Sequence, residues 1–201
     1  MKTGLKELIK SNYPNLTDNE IEKLVVKMQA VLPYKKIKLS ELEAGKKFTY
    51  KGYEFTKLAD EDNSCYCLLN DSVFESEFGE TNDWAKSPIR KRLNEFDAKG
   101  NNKVLPNINA NELVSVSLNY YAYKVPNGRT TDKITLPSWE EYIAYNFKPI
   151  NKTAWLRSGG TYGAHRAYLL SSSGGYFYNN TTNSCAVRPA LHLKSDIGVE
   201  P

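Results

Sequence analysis

The side chains between residues 162 and 183 are mainly tyrosine, asparagine, threonine, serine and glycine, with few of the groups that catalysis uses. Tyrosine offers a large amphipathic contact area at low entropic cost, and the small polar residues offer adaptable hydrogen bonds. Catalytic centres instead concentrate carboxylates, histidines and cysteines. The composition therefore predicts a surface that recognises a ligand, formed by Tyr162, His165, Arg166, Tyr168, Tyr176, Tyr178, Asn179, Asn180, Thr181, Thr182 and Asn183.

The sequence offers little for catalysis or for metal binding. It has no Gly-x-Ser-x-Gly motif, and its only histidines are His165 and His192. The adjacent carboxylates Glu140 and Glu141 belong to a predicted helix cap, where carboxylates serve as capping groups. Three cysteines without a Cys-x-x-Cys pair argue against a disulfide framework and against a structural zinc site. We predict no enzyme activity, no cofactor and no metal.

The charge balance argues against a dedicated nucleic-acid binder. Lysine and arginine total 27 and aspartate and glutamate total 23, which leaves a mild net charge of +4. The short run Arg90, Lys91 and Arg92 keeps a contact with an anion such as a phosphate open as an alternative. No run of about 18 apolar residues predicts a membrane span, and the N-terminal residues lack the apolar core of a signal peptide. We therefore expect a cytoplasmic protein without membrane contact.

The elements that must position the predicted surface begin with a helical pair in residues 1–45. An apolar stripe of Leu5, Leu8 and Ile9 predicts the first helix, and Thr17 with Glu20 forms a capping box for the second. Apolar residues then follow at helical spacing. Such a short, one-sided pair cannot bury its stripe alone, so we expect it to dock on the rest of the chain. Contact with a partner or oligomerisation is the alternative.

Residues 46–201 show the period-two pattern of strands, interrupted by two short helices. Pro88 at the first helical position predicts a helix to Phe96, and Ser138 with Glu141 predicts a second capping box. Residues 123–133, with an Asn-Gly pair, are predicted to be a loop. This order predicts an α+β body, with strands at a hairpin around Gly52 and at residues 65–69, 113–118, 154–157, 166–170, 176–178 and 185–193.

Several polar residues in the predicted strands are expected to be structural. Arg157 and Arg188 each have apolar neighbours, and a buried arginine must be hydrogen-bonded or paired. We expect them to tie the C-terminal strands to Asp132 or to the backbone of a loop. His192 is interpreted as a core or edge residue and Cys185 as a small buried hydrophobe.

Four segments follow one another in a recognisable order within about residues 46–194. They are Trp84 with Ser87–Phe96, Thr130–Ile134 with Leu136 and Ser138–Glu141, Trp155–Ser158, and Val187–Leu191. Together they resemble a bacterial and phage domain family of unknown function. The C-terminal part, with the segments Arg157–Gly160, Tyr168–Ser173 and Val187–Pro189, is similar to C-type-lectin-like folds more broadly, including the formylglycine-generating enzyme superfamily and the variable proteins of diversity-generating retroelements.

The resemblance implies a mixed fold in which two helices flank small antiparallel sheets, with a ligand-facing surface built from the C-terminal loops. The formylglycine-generating enzymes use two cooperating C-terminal cysteines to hold copper. This chain has only Cys185 in that part, so the resemblance does not carry that chemistry over.

The preferred hypothesis is a non-enzymatic binding protein of a phage, prophage or bacterium that recognises a protein or a glycan. The family's occurrence in phages and the basic clusters favour an alternative, a phage-encoded inhibitor that binds a host defence enzyme. A nucleic-acid-binding accessory protein is the third hypothesis. The expected location is the host cytoplasm or the phage particle.

Overall fold

The computed structural model describes residues 2–31 and 36–201 of the chain, which divides into two units, Met1–Lys35 and Lys36–Pro201. The α+β class predicted from the sequence is confirmed. The helices are α1 (Lys2–Asn12), α2 (Asp18–Val31), α3 (Pro88–Leu93) and α4 (Trp139–Tyr145). The strands are β1 (Ile37–Lys38), β2 (Lys47–Tyr50), β3 (Tyr53–Asp60), β4 (Ser64–Leu69), β5 (Phe74–Glu77), β6 (Val116–Ala122), β7 (Val125–Asp132), β8 (Ile134–Thr135), β9 (Ala154–Gly159), β10 (Arg166–Leu170), β11 (Tyr176–Asn180), β12 (Ser184–Val187), β13 (Ala190–Lys194) and β14 (Gly198–Val199).

The first unit is a helical hairpin with a small apolar cluster of its own. Ile9 of α1 packs with Ile21 and Val25 of α2. The predicted capping box is present, because the backbone N–H of Thr17 donates to the Glu20 carboxylate at 2.9 Å and the Glu20 N–H donates back to the Thr17 hydroxyl at 3.4 Å. The side chain of Leu5 lies outside the described residues. No helix in the described part of the chain is long and apolar enough to cross a membrane.

The second unit is built on two five-stranded sheets. The first sheet has the order β2-β3-β4-β13-β8 and is antiparallel throughout. The second has the order β11-β10-β9-β12-β5, in which only β9 and β12 run parallel. The predicted hairpin around Gly52 joins β2 to β3. Short antiparallel sheets of this kind satisfy the period-two pattern of the sequence.

The second sheet buries residues on both of its faces. Trp155, Leu169 and Val187 enter the main core of the unit. On the opposite face Leu156 and Leu170 form a second cluster, against which residues of α4 pack. This side of the sheet is the one that positions the candidate site.

The sequence analysis predicts one strand over residues 185–193, but the structure has two strands there. The chain forms β12 in one sheet, passes through Arg188 and Pro189, and continues as β13 in the other sheet. Proline has no N–H to donate to a strand ladder, so it favours a break at this point.

The loop predicted over residues 123–133 is also wrong, because most of it is strand β7. The turn falls at residues 123–124, where Lys124 has a φ of 62°, and β7 pairs with β6. A Cβ atom on Gly128 would lie 2.5 Å from the ring of Tyr120 on the neighbouring strand. The glycine therefore serves close cross-strand packing rather than a turn.

Residues 36–45, which the prediction assigned to the helical head, belong to the second unit. Leu39 and Leu42 are buried in the main core. The ammonium of Lys57, itself fully buried, donates to the backbone carbonyls of both leucines. The division of the chain falls at residues 35–36, inside the Leu32–Gly45 stretch that the sequence favours as the boundary.

Candidate functional site

Most of the predicted tyrosines lie on one face of the second sheet. In the β10–β11 ladder, Tyr168 is opposite Tyr178 and Leu170 is opposite Tyr176, and residues directly opposite each other project to the same face. Aromatic residues of α4 and of the loop after β9 extend this group. We call it the aromatic surface, and it consists of Trp139, Tyr142, Tyr162, Tyr168, Tyr176 and Tyr178.

Tyr168 occupies the centre of the aromatic surface. Its ring stacks on Trp139 with centroids 5.7 Å apart and an interplanar angle of 15°, and it lies 4.3 Å from the ring of Tyr178. The hydroxyls of Tyr168 and Tyr178 share a hydrogen bond of 2.6 Å. Burial, the hydrogen bond with Tyr178 and the nearby charge of Glu140 raise the pKa of Tyr168. The centre is therefore a fixed, uncharged platform at neutral pH.

The exposed members lie around this centre. The ring of Tyr176 is 5.7 Å from Trp139 and 6.5 Å from Tyr142, and it is 48% exposed. Tyr162 is 82% exposed and meets the ring of Tyr178 edge-on at 6.0 Å. Edge-on and offset contacts of this kind hold aromatic rings in place. The surface thus combines fixed rings with accessible apolar area.

A buried ion pair fixes helix α4, which carries Trp139 and Tyr142. The predicted capping box is present, because Ser138 and Glu141 each accept from the other's backbone N–H. The same Glu141 carboxylate accepts from both terminal nitrogens of Arg157 on β9, one of them at 2.7 Å, and from the Tyr66 hydroxyl at 2.7 Å. Burial opposes the ionisation of Glu141, but Arg157 outweighs it, so the pKa of this carboxyl is lowered.

Asn82, which the sequence analysis did not single out, holds the loop that carries Tyr162. It is buried, and its amide nitrogen lies 2.9, 3.0 and 2.8 Å from the carbonyl oxygens of Gly160, Gly163 and Arg166. The side-chain oxygen of Asn82 accepts a hydrogen bond from the backbone N–H of Tyr123 at 3.0 Å. One side chain therefore ties the 160–166 loop to the end of β6.

In the polar part of the predicted surface, Asn180, Thr182 and Asn183 are exposed and Thr181 is buried. Asn180 and Asn183 are exposed, and they bond within their own turn, with the amide of Asn183 donating to Asn179 at 2.7 Å. Thr182 is exposed and donates to Asn180. Thr181, in contrast, is fully buried, because its backbone pairs with Phe78 and His165 beneath the turn. It cannot contact a ligand directly.

His165 and Arg166 of the predicted surface are exposed at its edge. The Nδ1 atom of His165 lies 2.9 Å from the carbonyl oxygen of Glu80, to which it donates. Arg166 begins β10, opposite Asn180. Within the described residues its guanidinium forms no hydrogen bond or ion pair, so it is available to an acceptor on a ligand.

The predicted anion contact on α3 does not form a cluster of free cations. Arg90 is ion-paired with the buried Asp132 at 2.8 Å. The guanidinium of Arg92 lies 3.9 Å from the ring of Phe74, and Lys91 is exposed. Of the two expected links for the C-terminal arginines, the one to Asp132 is not formed, whereas the one to a loop backbone is confirmed for both. Arg157 donates to the carbonyl of Leu136 at 2.8 Å in addition to its pair with Glu141, and Arg188 donates to the carbonyl of Lys148 at 2.6 Å.

The titratable residues elsewhere do not converge on one point. Among the described residues, no group of three or more His, Cys, Asp or Glu side chains could hold a metal ion. His192 is buried beside Glu61, with Nδ1 2.9 Å from the carboxylate. Cys185 is half-buried rather than buried, because it lies on the short strand β12 beside the exposed Ser184.

Trp139 and Tyr142 are the members of the aromatic surface that the sequence analysis left out. Their spacing of three residues puts them on one face of α4, a signal that was available in the sequence. The contact of that face with the tyrosines depends on the sheet.

No family model, no curated protein and no solved structure matches the chain.

Proposed function

We propose that this chain is a non-enzymatic binding protein that recognises a protein or a glycan through its aromatic surface. The main support for this proposal is that six aromatic rings form a continuous set of contacts on one face of the sheet. Tyr162 and Tyr176 are accessible to solvent at the edges of this surface. Exposed aromatic residues beside an arginine are the typical anchors of a recognition surface. Arg166 supplies that cation.

The proposal includes a C-type-lectin-like fold for the second unit. Two observations support this finer assignment. The sheets are small and mostly antiparallel, and two short helices, α3 and α4, accompany them. The recognition surface then uses the C-terminal strands and loops, as the resemblance implies.

The experiment is a capture assay with paired variants from one strand. Tyr176→Ser removes a ring of the aromatic surface, whereas Phe177→Ser removes a ring of similar exposure, 44% against 48%, from the opposite face of β11. The full chain and both variants are presented to a lysate of the source organism and to a glycan array. Binding that Tyr176→Ser loses and Phe177→Ser retains supports the proposal.

A second pair tests the other edge of the surface. Tyr162→Ser is compared with Tyr13→Ser, which removes an exposed tyrosine from the first unit. A ligand that all four variants retain, with unchanged melting temperatures, contradicts the proposal. The proposal is also contradicted if Phe177→Ser loses as much binding as Tyr176→Ser and Tyr13→Ser loses as much as Tyr162→Ser.

A further inference from the structure

A concave site adjoins the aromatic surface, whose Tyr142 ring lies 5.2 Å from the ring of Phe147 in this site. A cleft of about 570 Å³ runs between the start of β2 and the segment after α4, which is the size range of small-molecule sites. We call it the basic cleft, and the residues of its lining that matter here are Lys46, Leu58, Phe147, Lys148, Pro149 and Arg188. None of the residues of the aromatic surface lines it, so the inference does not depend on the proposed function.

Arg188 is a buried cation without a carboxylate partner in the described part of the chain. It is 5% exposed. Its guanidinium donates to the backbone carbonyls of Leu69 and Lys148, both at 2.6 Å, and lies 3.5 Å from the side-chain oxygen of Asn70. All three acceptors are neutral. Burial lowers the pKa of Arg188 to about 10, and the more distant charge of Asp71 only partly opposes this.

Two lysines add to the positive charge of the cleft. Lys46 and Lys148 are exposed, and the ion pairs found among residues 36–201 include neither of them. Lys47 also lines the cleft, but it is paired with Glu54 at 2.8 Å and adds no net charge. The site therefore presents three cations that a bound anion would neutralise.

The number of cations favours a phosphate over a carboxylate. A phosphate monoester carries roughly −1.5 to −2 charges at neutral pH and offers three acceptor oxygens. A carboxylate carries a single charge and would leave more of the positive charge uncompensated. Arginine and lysine are the usual cationic partners of phosphate groups.

One wall of the cleft is apolar. Leu58 and Phe147 belong to the second hydrophobic cluster, and the ring of Phe147 lies 5.6 Å from the guanidinium of Arg188. Pro149 continues this wall. We propose that the basic cleft binds a small phosphate monoester with an apolar or aromatic organic group, its phosphate against Arg188, Lys46 and Lys148.

Titration calorimetry on the full chain at fixed ionic strength tests this proposal with phenyl phosphate, inorganic phosphate and benzoate as probes. We expect phenyl phosphate to bind most tightly. Lys46→Gln and Lys148→Gln should each weaken it about threefold, because each removes one exposed charge contact. Lys38→Gln, which removes an exposed lysine of β1 outside the cleft, is the matched control and should leave the affinity unchanged.

Arg188→Gln should weaken binding of phenyl phosphate by about thirtyfold or more. Because this variant also loses backbone hydrogen bonds, its fold is checked by circular dichroism and thermal melting. If Arg188→Gln does not fold, the affinities of Lys46→Gln and Lys148→Gln for phenyl phosphate still test the proposal. The proposal is overturned if benzoate binds as tightly as phenyl phosphate, if phenyl phosphate does not bind, or if the cleft variants match Lys38→Gln.

Discussion

Replacing Asn82 with aspartate tests how the structure holds the loop that carries Tyr162. The two side chains have the same shape, but the substitution exchanges an NH₂ group for an oxygen. That oxygen would face three backbone carbonyl oxygens, at the distances of 2.8 to 3.0 Å that the amide nitrogen now has. Asn82 is 1% exposed, so water cannot relieve the repulsion.

The cost has two parts. The amide has two hydrogens to donate, and losing their hydrogen bonds costs about 2 kcal/mol at about 1 kcal/mol each. The new carboxyl also resists ionisation, and each unit by which its pKa rises costs about 1.4 kcal/mol. The total destabilisation at pH 7 therefore exceeds the roughly 2 kcal/mol of the lost hydrogen bonds.

The sign of the pH dependence follows from the raised pKa. When the pKa of a carboxyl is higher in the folded state than in the unfolded state, the folded state holds the proton more tightly. The free energy of unfolding then falls as the pH rises and the carboxyl ionises. The Asn82→Asp variant should therefore be least destabilised near pH 4 and increasingly destabilised as the pH rises toward 7.

Urea unfolding followed by circular dichroism at both pH values provides the measurement, with the wild-type chain at each pH as the reference. Asn82→Ala removes the same hydrogen bonds without adding a carboxyl, so its free-energy difference from wild type should not depend on pH. An Asn82→Asp chain within about 1 kcal/mol of wild type at pH 7, less than even the lost hydrogen bonds should cost, would refute the reasoning. So would a deficit that matches that of the alanine variant at both pH values.

Three further substitutions test contacts described above. Glu141→Gln should cost about 3 kcal/mol in urea unfolding at pH 7, because it leaves the buried Arg157 without its counter-charge. Since the pKa of Glu141 is lowered, the wild-type advantage should shrink as the pH falls through the folded pKa; a constant advantage argues against the pair. Gly128→Ala should lose about 2 kcal/mol through overpacking, whereas Gly175→Ala, whose added Cβ meets only ordinary contacts, should change the melting temperature little. Thr181→Val removes a buried hydroxyl that has no hydrogen-bond partner among the described residues, so stability should stay equal or rise by up to about 1 kcal/mol; a clear fall contradicts this.

Features with a local signal in the sequence were predicted well. The capping boxes that begin with Thr17 and Ser138 depend on residues three positions apart, and both are present. Strand β10 has the predicted bounds, Arg166–Leu170. The α+β class follows from the order of such local elements.

Features that depend on distant partners were missed. The strand β7 overrides an Asn-Gly turn signal because Gly128 faces the ring of Tyr120. Thr181 is buried because its backbone pairs with Phe78, about a hundred positions earlier in the chain. Asn82 matters only because the fold brings three carbonyls around it. The periodicity of the sequence cannot predict these contacts, because they join residues that are far apart in the chain or depend on how the strands pair.

The pairing of β1 with β14 means that the chain enters and leaves the second unit side by side. Ile37 is opposite Val199, and Lys38 is opposite Gly198. The unit is therefore close to a closed loop, and such proximity of the ends is what makes circular permutation tolerable. A short linker can join these ends, and new ends can open in the exposed turn at Lys51 and Gly52. Either proposed binding site could then be displayed on a permuted unit with its strands still in their native order in space.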